Sequence, residues 1–279
     1  MLFRILLEKI STFWRYYSKA KTIYKVHSPF VYSFIDEVIN NDHMYYAFEI
    51  LESHRKNLMN SKETVRFQEM GAGSKVLKNQ NATRQLSEIA KSALAPAQQA
   101  RILFHLVNKY SRKNVLEIGT SLGLSTLYML SANSKMQMTT MEGNAEVLSK
   151  AIDAFNQFGF HCVKTVLGNF DDTLQNTLES GDKYDLVYVD GNHSYEATKR
   201  YWSQILPYCT PDAIIVFDDI HWSKGMYEAW EEIKNDQAVR ARIEIYDLGF
   251  VFLDLKLAKN NFTFIDFWWK PWQIGLFIW

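Results

Sequence analysis

From residue 114 onward, short apolar runs alternate with longer segments whose apolar residues recur at helical spacing. The apolar runs predict five strands, at 115–118, 136–141, 163–167, 186–189 and 213–217. The intervening segments predict helices at about 123–132, 144–158, 171–179, 194–206 and 223–235. Asn144 is placed to cap the second helix, and Gly159 to end it. This alternation predicts a parallel sheet with helices on both faces.

The last part of the chain has a different pattern. Two strand-like runs, 242–248 and 250–257, are joined at Gly249 with no room for a helix between them. They therefore predict an antiparallel hairpin after the five strand–helix units.

The N-terminal part reads as helical. Ser28 and Pro29 suit a helix start, and apolar residues follow at helical spacing over 30–38. Residues 60–84 are polar and glycine-containing, which predicts a mobile loop or lid. The stretch EMGAGSK within it, residues 69–75, is preceded by too polar a run to follow a buried parallel strand. Short helices are expected on either side of Pro96.

Composition narrows the class of protein. The chain has 279 residues, 47% of them hydrophobic, and 31 basic and 31 acidic side chains, which is typical of a folded globular protein. The large number of aromatic residues excludes general disorder, and zero net charge does not favour a general nucleic-acid binder. Cys162 and Cys209 lack zinc-site spacing and read as two buried, reduced thiols, which suits a cytoplasmic location.

The two ends of the chain are rich in aromatic residues. Arg4, Glu8 and Lys9 interrupt the first apolar run, so we expect neither a signal peptide nor a transmembrane helix. Two alternatives remain for the aromatic ends: peripheral contact with a membrane interface, or packing onto the domain or a second subunit as a homodimer, which we favour. The residues concerned are Phe13, Trp14, Tyr16, Tyr17, Phe267, Trp268, Trp269, Trp272, Phe277 and Trp279.

The first motif with chemical meaning is NVLEIGTSLGLST, residues 114–126. Gly119 and Gly123 follow a strand and precede a helix, so the backbone can turn tightly and approach a ligand. The G-x-G-x-x-G pattern of a dinucleotide-binding loop is absent. Glu142 ends the next strand, where a carboxylate can bind both ribose hydroxyls of a nucleoside.

Two further strands end in acidic residues. Asp190 follows one strand, with Gly191 and His193 beside it, and Asp218 and Asp219 follow the next. Parallel strands present their carboxyl ends at one edge, so these three carboxylates are expected to converge and to favour a divalent cation such as Mg²⁺. The alternatives are that the two later acids merely cap a helix or face solvent, and that His193 is structural.

Residues 114–222 resemble the metal-dependent O-methyltransferases related to catechol O-methyltransferase, specifically methyltransferase family 24, which has a D-G-x-H-x-Y signature. The resemblance covers about 97–257. It implies a Rossmann-like class I methyltransferase sheet, an α/β fold, with S-adenosylmethionine as cofactor and a small hydroxylated acceptor as substrate. No nucleic-acid partner is expected.

The resemblance also implies roles for individual residues. The methionine part of the cofactor would lie on Glu117, Gly119, Ser121, Gly123 and Ser125, the ribose on Glu142 and Gly143, and the adenine beside Gly168, Asn169 and Phe170. Asp190, Asp218 and Asp219 map to metal ligands, and Asp190 also adjoins the cofactor. His193 stands where catechol O-methyltransferase has a catalytic lysine, and Asp219 where that enzyme has an asparagine. His193 is the expected general base, with Asp190 beside it, and His221 a lesser candidate for contact with the substrate.

We therefore expect an N-terminal helical region with a lid loop (1–96), a methyltransferase domain (97–257) and an aromatic tail (258–279). Two other functions are kept open: a nicotinamide-dependent oxidoreductase on a similar sheet, and a non-catalytic cofactor-binding or assembly protein. The missing dinucleotide loop and the terminal hairpin argue against the oxidoreductase.

Overall fold

The computed structural model describes residues 2–67 and 82–274. Its centre is an eight-stranded sheet. The strands are β3 (Asn114–Ile118), β4 (Gln137–Glu142), β5 (Lys164–Leu167), β6 (Tyr184–Val189), β7 (Cys209–Phe217), β8 (Ala241–Glu244), β9 (Gly249–Phe252) and β10 (Asn260–Thr263). They lie in the order β10-β8-β9-β7-β6-β3-β4-β5 across the sheet. The five predicted parallel strands pair in parallel, and β8 and β9 form the predicted antiparallel hairpin.

Helices cover both faces of the sheet, as the sequence predicts. They are α1 (Leu2–Lys19), α2 (Pro29–Phe34), α3 (Tyr46–Asn60), α4 (Leu86–Ala93), α5 (Ala97–Tyr110), α6 (Leu124–Ala132), α7 (Ala145–Gln157), α8 (Phe170–Glu179), α9 (Tyr195–Ile205) and α10 (Lys224–Ile233). Successive residues of β6 alternate between two cores: Leu186 packs with α2, α5 and α6, whereas Val187 packs with α8, α9 and α10. No helix in the described ranges is long and apolar enough to cross a membrane.

Three predicted helix boundaries have the expected chemistry. The Ser28 hydroxyl accepts a hydrogen bond from the Val31 backbone N–H, with Pro29 at the first helical position. The Asn144 side chain likewise accepts from two backbone N–H groups of α7. Gly159 follows α7 with a φ of +80°, a backbone conformation that favours glycine. Helix α2 continues as a π-helical turn, Ile35–Ile39, that the apolar spacing did not reveal.

The segment predicted as a mobile loop is partly regular. Strands β1 (Thr64–Phe67) and β2 (Ala82–Gln85) form an antiparallel ribbon outside the main sheet. Val65 anchors the ribbon because it is buried with Leu86 and Ile89 of α4 and with Leu122 and Val147. One apolar side chain in a polar strand is too weak a periodic signal to predict it. Residues 69–75, the glycine-containing stretch, lie outside the described residues.

The hairpin and tail differ in detail from the sequence expectation. Gly249 is the first residue of β9 rather than the joint, and the Ile245 N–H closes the turn onto the Leu248 carbonyl at 2.9 Å. The sheet also continues beyond residue 257, because β10 pairs in parallel with β8. After β10 the chain returns to α1, where the Tyr16 hydroxyl donates to the Phe264 carbonyl. The aromatic ends therefore pack on each other; Phe277 and Trp279 lie outside the described residues.

Candidate active site

The glycine loop after β3 approaches the neighbouring strand end closely. Gly119 has a φ of +108°, and a Cβ built there would lie 2.0 Å from the Asp190 carbonyl oxygen. Gly123 has a φ of +79°, and its Cβ would lie 2.6 Å from the Phe155 ring. Only glycine satisfies both the backbone conformation and the available space at these positions. The loop therefore presents bare backbone between the ends of β3 and β6, as a cofactor cradle requires.

Glu142, at the end of β4, is fixed beside this loop. Its Oε2 accepts a 2.9 Å hydrogen bond from the Ser121 N–H, and its Oε1 accepts one of 2.9 Å from Asn144 N–H. The Gly143 N–H also faces the carboxylate. Burial raises the pKa of Glu142, and these backbone donors oppose the rise. Ser121 has a φ of +48°, and its hydroxyl oxygen is buried with no hydrogen-bond partner among the described residues.

Glu117 lies below the loop, away from solvent. Its carboxylate accepts hydrogen bonds from the Ser125 and Thr140 hydroxyls, each at 2.6 Å, and from that of Thr126. Its side chain is fully buried, and burial raises the pKa to about 7 against the opposing effect of these hydroxyls. In this geometry Glu117 and Ser125 hold the loop to α6 and β4. Their direct contact with a cofactor remains a prediction.

The loop after β5 completes one wall of the site. Gly168 has a φ of +139°, and its N–H donates to the Glu142 carbonyl at 3.0 Å. The Asn169 side chain caps α8 by accepting from the Asp171 N–H at 3.1 Å. The Phe170 ring packs so closely on Gly191 that a Cβ there would lie 2.6 Å from it. The residues predicted to flank the adenine therefore lie next to the ends of β4 and β6.

The acidic strand ends lie together around one histidine. His193 Nε2 is 3.5 Å from Asp190 Oδ1 and 4.0 Å from Asp219 Oδ2. Asp218 is almost fully buried, and its Oδ1 accepts a 2.8 Å hydrogen bond from the Asp219 N–H. Asp219 has a φ of +53°, which turns the chain sharply at this edge.

Tyr188 is the site residue that the sequence reasoning missed. Its hydroxyl donates to Asp218 Oδ2 at 2.6 Å and lies 3.3 Å from Asp190 Oδ2. The only signal available was a tyrosine within the otherwise aliphatic run 186–189, two residues before Asp190 and therefore on the same face.

The site holds closely spaced charges that influence one another. Burial raises the pKa of Asp218 well above its ordinary value, and the negative charges of Asp190 and Asp219 raise it further. Burial raises the pKa of Asp219 as well, whereas His193 opposes the rise. Burial lowers the pKa of His193, but the hydrogen bond to Asp190 and the surrounding carboxylates outweigh it, so the net shift is upward.

The carboxylates do not form a complete metal site in this geometry. Within residues 2–67 and 82–274, no group of three or more His, Cys, Asp or Glu side chains could hold a metal ion. Both oxygens of Asp218 already accept hydrogen bonds, from Tyr188 and from the Asp219 N–H. The residues predicted as Mg²⁺ ligands thus lie near one another without sharing a coordination point.

A cavity of about 440 Å³ opens beside His193. It is lined by His193, Ser194, Tyr195, Glu196, Trp222, Ser223, Gly225 and Glu228. His221, the lesser candidate, is not among these lining residues. Its ring stacks between Tyr227 and Tyr246, at centroid distances of 5.5 and 5.1 Å, which is a packing position.

Comparisons with known proteins agree with this geometry. Residues 116–220 match the family model described as a methyltransferase domain. A protein of Mycobacterium leprae (strain Br4923), named "Putative O-methyltransferase MLBr01075", is 35% identical over 116 residues, which cover 40% of this chain and 50% of that protein. This chain thus matches only half the length of that curated relative.

Solved structures show the same fold. The Podospora anserina methyltransferase PaMTH1, bound to S-adenosylhomocysteine (SAH), aligns with a TM-score of 0.56 and 15% identity over 81% of this chain and 96% of that one. An O-methyltransferase from Bacillus cereus in complex with SAH aligns with a TM-score of 0.54 and 16% identity over 80% and 97% of the two chains. The predicted resemblance and the class I methyltransferase fold are therefore confirmed.

Proposed function

We propose that this protein is an S-adenosylmethionine-dependent O-methyltransferase acting on a small hydroxylated acceptor. The observation that carries the proposal is the cradle between β3 and β4. The Ser121 hydroxyl is buried there without a partner among the described residues, and Glu142 is fixed beside it by the Ser121 N–H. An unpaired buried hydroxyl is costly unless a ligand satisfies it. Glu142 would bind the ribose, and Ser121 the polar end of the methionine part.

His193 is the proposed general base. S-adenosylmethionine, when bound, supplies an electrophilic methyl group, which passes to the acceptor oxygen as its bond to sulfur breaks. Neutral His193 accepts, at Nδ1, the proton that the acceptor hydroxyl releases, because Nε2 faces the Asp190 carboxylate and donates to it. Asp190 and Asp219 lie beside Nε2 and stabilise the imidazolium that forms. The cavity beside His193 would position the acceptor oxygen.

Two further parts of the proposal concern metal and location. Assistance by Mg²⁺ would require Asp190, Asp218 and Asp219 to rearrange around the ion. Cys209 is buried as expected, whereas Cys162 is exposed; because both thiols are free, we propose a cytoplasmic location. Residues 97–257 would carry the chemistry, and the described parts of 1–96 and 258–279 would cover the sheet and extend its edge.

Calorimetry with SAH tests the cofactor site. Glu142→Ala should weaken binding about 10- to 150-fold, the effect of losing a charge-assisted hydrogen bond. Asp153→Ala, at an exposed position on α7, is the matched control and should bind normally. Equal affinity of the Glu142 variant would refute the ribose assignment. Tighter binding of NAD than of SAH would favour the oxidoreductase alternative, which the comparisons do not support.

An acceptor screen with labelled S-adenosylmethionine tests the reaction itself. We expect transfer to a phenol or other hydroxyl compound, and His193→Gln should lower kcat by about 10²- to 10⁴-fold with SAH affinity unchanged. Parallel assays with Mg²⁺ and with EDTA test whether methyl transfer depends on a divalent cation. Normal turnover by His193→Gln would refute the role of His193 as the general base. Binding of SAH without transfer to any acceptor would favour the non-catalytic alternative.

A further inference from the structure

The two ends of the described chain build one exposed aromatic surface. Five side chains on α1 and the adjoining turns are between 54% and 76% exposed. We call them the aromatic platform: Trp14, Tyr24, Trp268, Trp269 and Trp272. Large aromatic side chains normally lose most of their exposure on folding, so such a group indicates a surface that binds something.

Contacts between the two ends of the described chain bring the parts of the platform together. The Phe13 and Trp269 rings lie 5.6 Å apart, and the Tyr17 hydroxyl donates to the Trp269 carbonyl at 2.8 Å. The Gln273 side chain accepts a hydrogen bond of 2.9 Å from the Thr22 N–H. These contacts fix the tail turns against α1 and keep the aromatic rings on a rigid base.

Positive charge is concentrated in the same part of the molecule. Residues 1–25 contain six Lys and Arg but one Glu, although the whole chain has 31 charges of each sign. Several of these basic side chains are exposed on or just after α1: Lys9, Arg15, Lys19, Lys21 and Lys25. The partner that fits therefore combines an apolar layer with negative charge.

We propose that the aromatic platform docks onto an anionic lipid bilayer. Tryptophan and tyrosine rings, with one apolar body and one polar atom, favour the interface between head groups and acyl chains, and nearby lysines bind anionic head groups. A second copy of the chain fits less well. A two-fold contact through the platform would bring the same positive region of both copies together, which is repulsive.

The platform is also close to the candidate site. The Lys9 ammonium lies 5.8 Å from the centroid of the Trp222 ring, and Trp222 lines the cavity beside His193. Docking would therefore place the cavity near the lipid surface. On the basis of the proposed function, this position favours an acceptor that partitions into the bilayer.

Vesicle flotation of the full chain tests the docking without any requirement for methyl transfer. Vesicles of phosphatidylcholine with one quarter phosphatidylglycerol should bind the protein, and pure phosphatidylcholine vesicles or high salt should reduce binding strongly. Trp268→Ser/Trp272→Ser should lower partitioning about tenfold or more. Lys21→Glu/Lys25→Glu should weaken binding to the anionic vesicles alone.

The control is Tyr46→Ser/Leu255→Ser, which changes two side chains that are exposed to a similar degree but lie outside the platform. It should bind like the wild-type chain. Failure of the wild-type chain to bind anionic vesicles, or equal binding by the platform variants, would overturn the proposal. Light scattering that shows a dimer, converted to monomer by the tryptophan variant, together with absent vesicle binding, would assign the platform to a second copy. If the tryptophan variant does not fold, binding of the lysine variant to anionic vesicles still tests the proposal.

Discussion

Tyr188 on β6 donates a 2.6 Å hydrogen bond to Asp218 at the end of β7, and both side chains are buried. This contact joins adjacent strands at the edge where the candidate site lies. Asp218 also lies near Asp190 and Asp219, whose negative charges oppose its ionisation. The tyrosine hydroxyl offsets part of this repulsion, because a donor to a carboxylate favours the charged form. Tyr188 is thus a positioning residue for the acidic strand ends.

Replacement of Tyr188 by Phe should destabilise the protein by about 1–3 kcal/mol, since Asp218 loses a buried donor. Turnover should fall further than SAH affinity, because the cofactor cradle lies on β3 and β4. Chemical denaturation and calorimetry measure the two effects. Tyr184→Phe is the control, as Tyr184 is equally buried at the other end of the same strand. A Tyr188 variant with the kinetics of Tyr184→Phe would show that the contact is only structural.

Gly119→Ala should damage the protein far more than Gly159→Ala. Both glycines have positive φ, so each alanine incurs backbone strain of about 1–2 kcal/mol. Only at Gly119 does the added Cβ meet the Asp190 carbonyl, at 2.0 Å, whereas nothing lies within 4 Å of a Cβ at Gly159. We expect a loss of about 3–5 kcal/mol and no measurable SAH binding for Gly119→Ala. Similar unfolding midpoints for the two variants would contradict this account.

The parallel part of the fold was predictable because its signals are local and repeated. Buried segments such as 186–189 within β6 stand out as apolar runs, and caps such as Ser28 and Asn144 mark helix starts. The ribbon and β10 were not predictable in this way. The ribbon depends on one buried side chain, Val65, and β10 depends on pairing with β8 and on the bridge between Lys21 and Phe264 next to its end.

The candidate site, like the fold, was predictable from the sequence only in part. Glycines and acids at strand ends are visible in the sequence, since a parallel sheet places all carboxyl ends together. The orientation of each side chain is not visible. Glu117 faces three hydroxyls inside the protein, and Tyr188 bridges two acids, because long-range packing decides both. Whether three nearby carboxylates share one metal-binding position likewise depends on side-chain angles, which the spacing of residues in the sequence does not specify.

His105 should make the protein less stable in mild acid. It is 2% exposed, and burial, with the nearby positive charges of His43 and Arg101, lowers its pKa to about 4 from 6.5. The unfolded chain therefore binds a proton between these values that the folded chain does not. The contribution of neutral His105 to the free energy of unfolding is fully present above pH 6.5. It decreases by as much as ~3 kcal/mol as the pH falls to about 4.

His105→Phe removes this group and suits the surrounding rings of Tyr45, Phe48 and Phe104. Denaturation at about pH 7 and about pH 4.5 should show that the variant loses less stability on acidification than the wild-type chain. His161→Gln, at an exposed position, should behave as wild type. A variant as acid-sensitive as the wild-type chain would mean that His105 does not titrate in this range.

Lys270 should hold α1 on the rest of the molecule. Its side chain is 5% exposed, and its ammonium donates to the Tyr17 carbonyl and, at 2.6 Å, to that of Ala20. It also lies 4.4 Å from the centroid of the Tyr17 ring. These carbonyls close the C-terminal end of the helix, where a positive charge is favourable. Lys270→Met keeps the length of the apolar stem but removes the ammonium donor, and should lower the free energy of unfolding by about 1–3 kcal/mol. Hydrogen exchange should then become faster in α1 and in the tail turns, with the sheet unaffected.

Lys259→Met, at an exposed position in the same tail, should leave exchange unchanged. Equal protection of α1 in both variants would show that its aromatic contacts alone hold the helix in place.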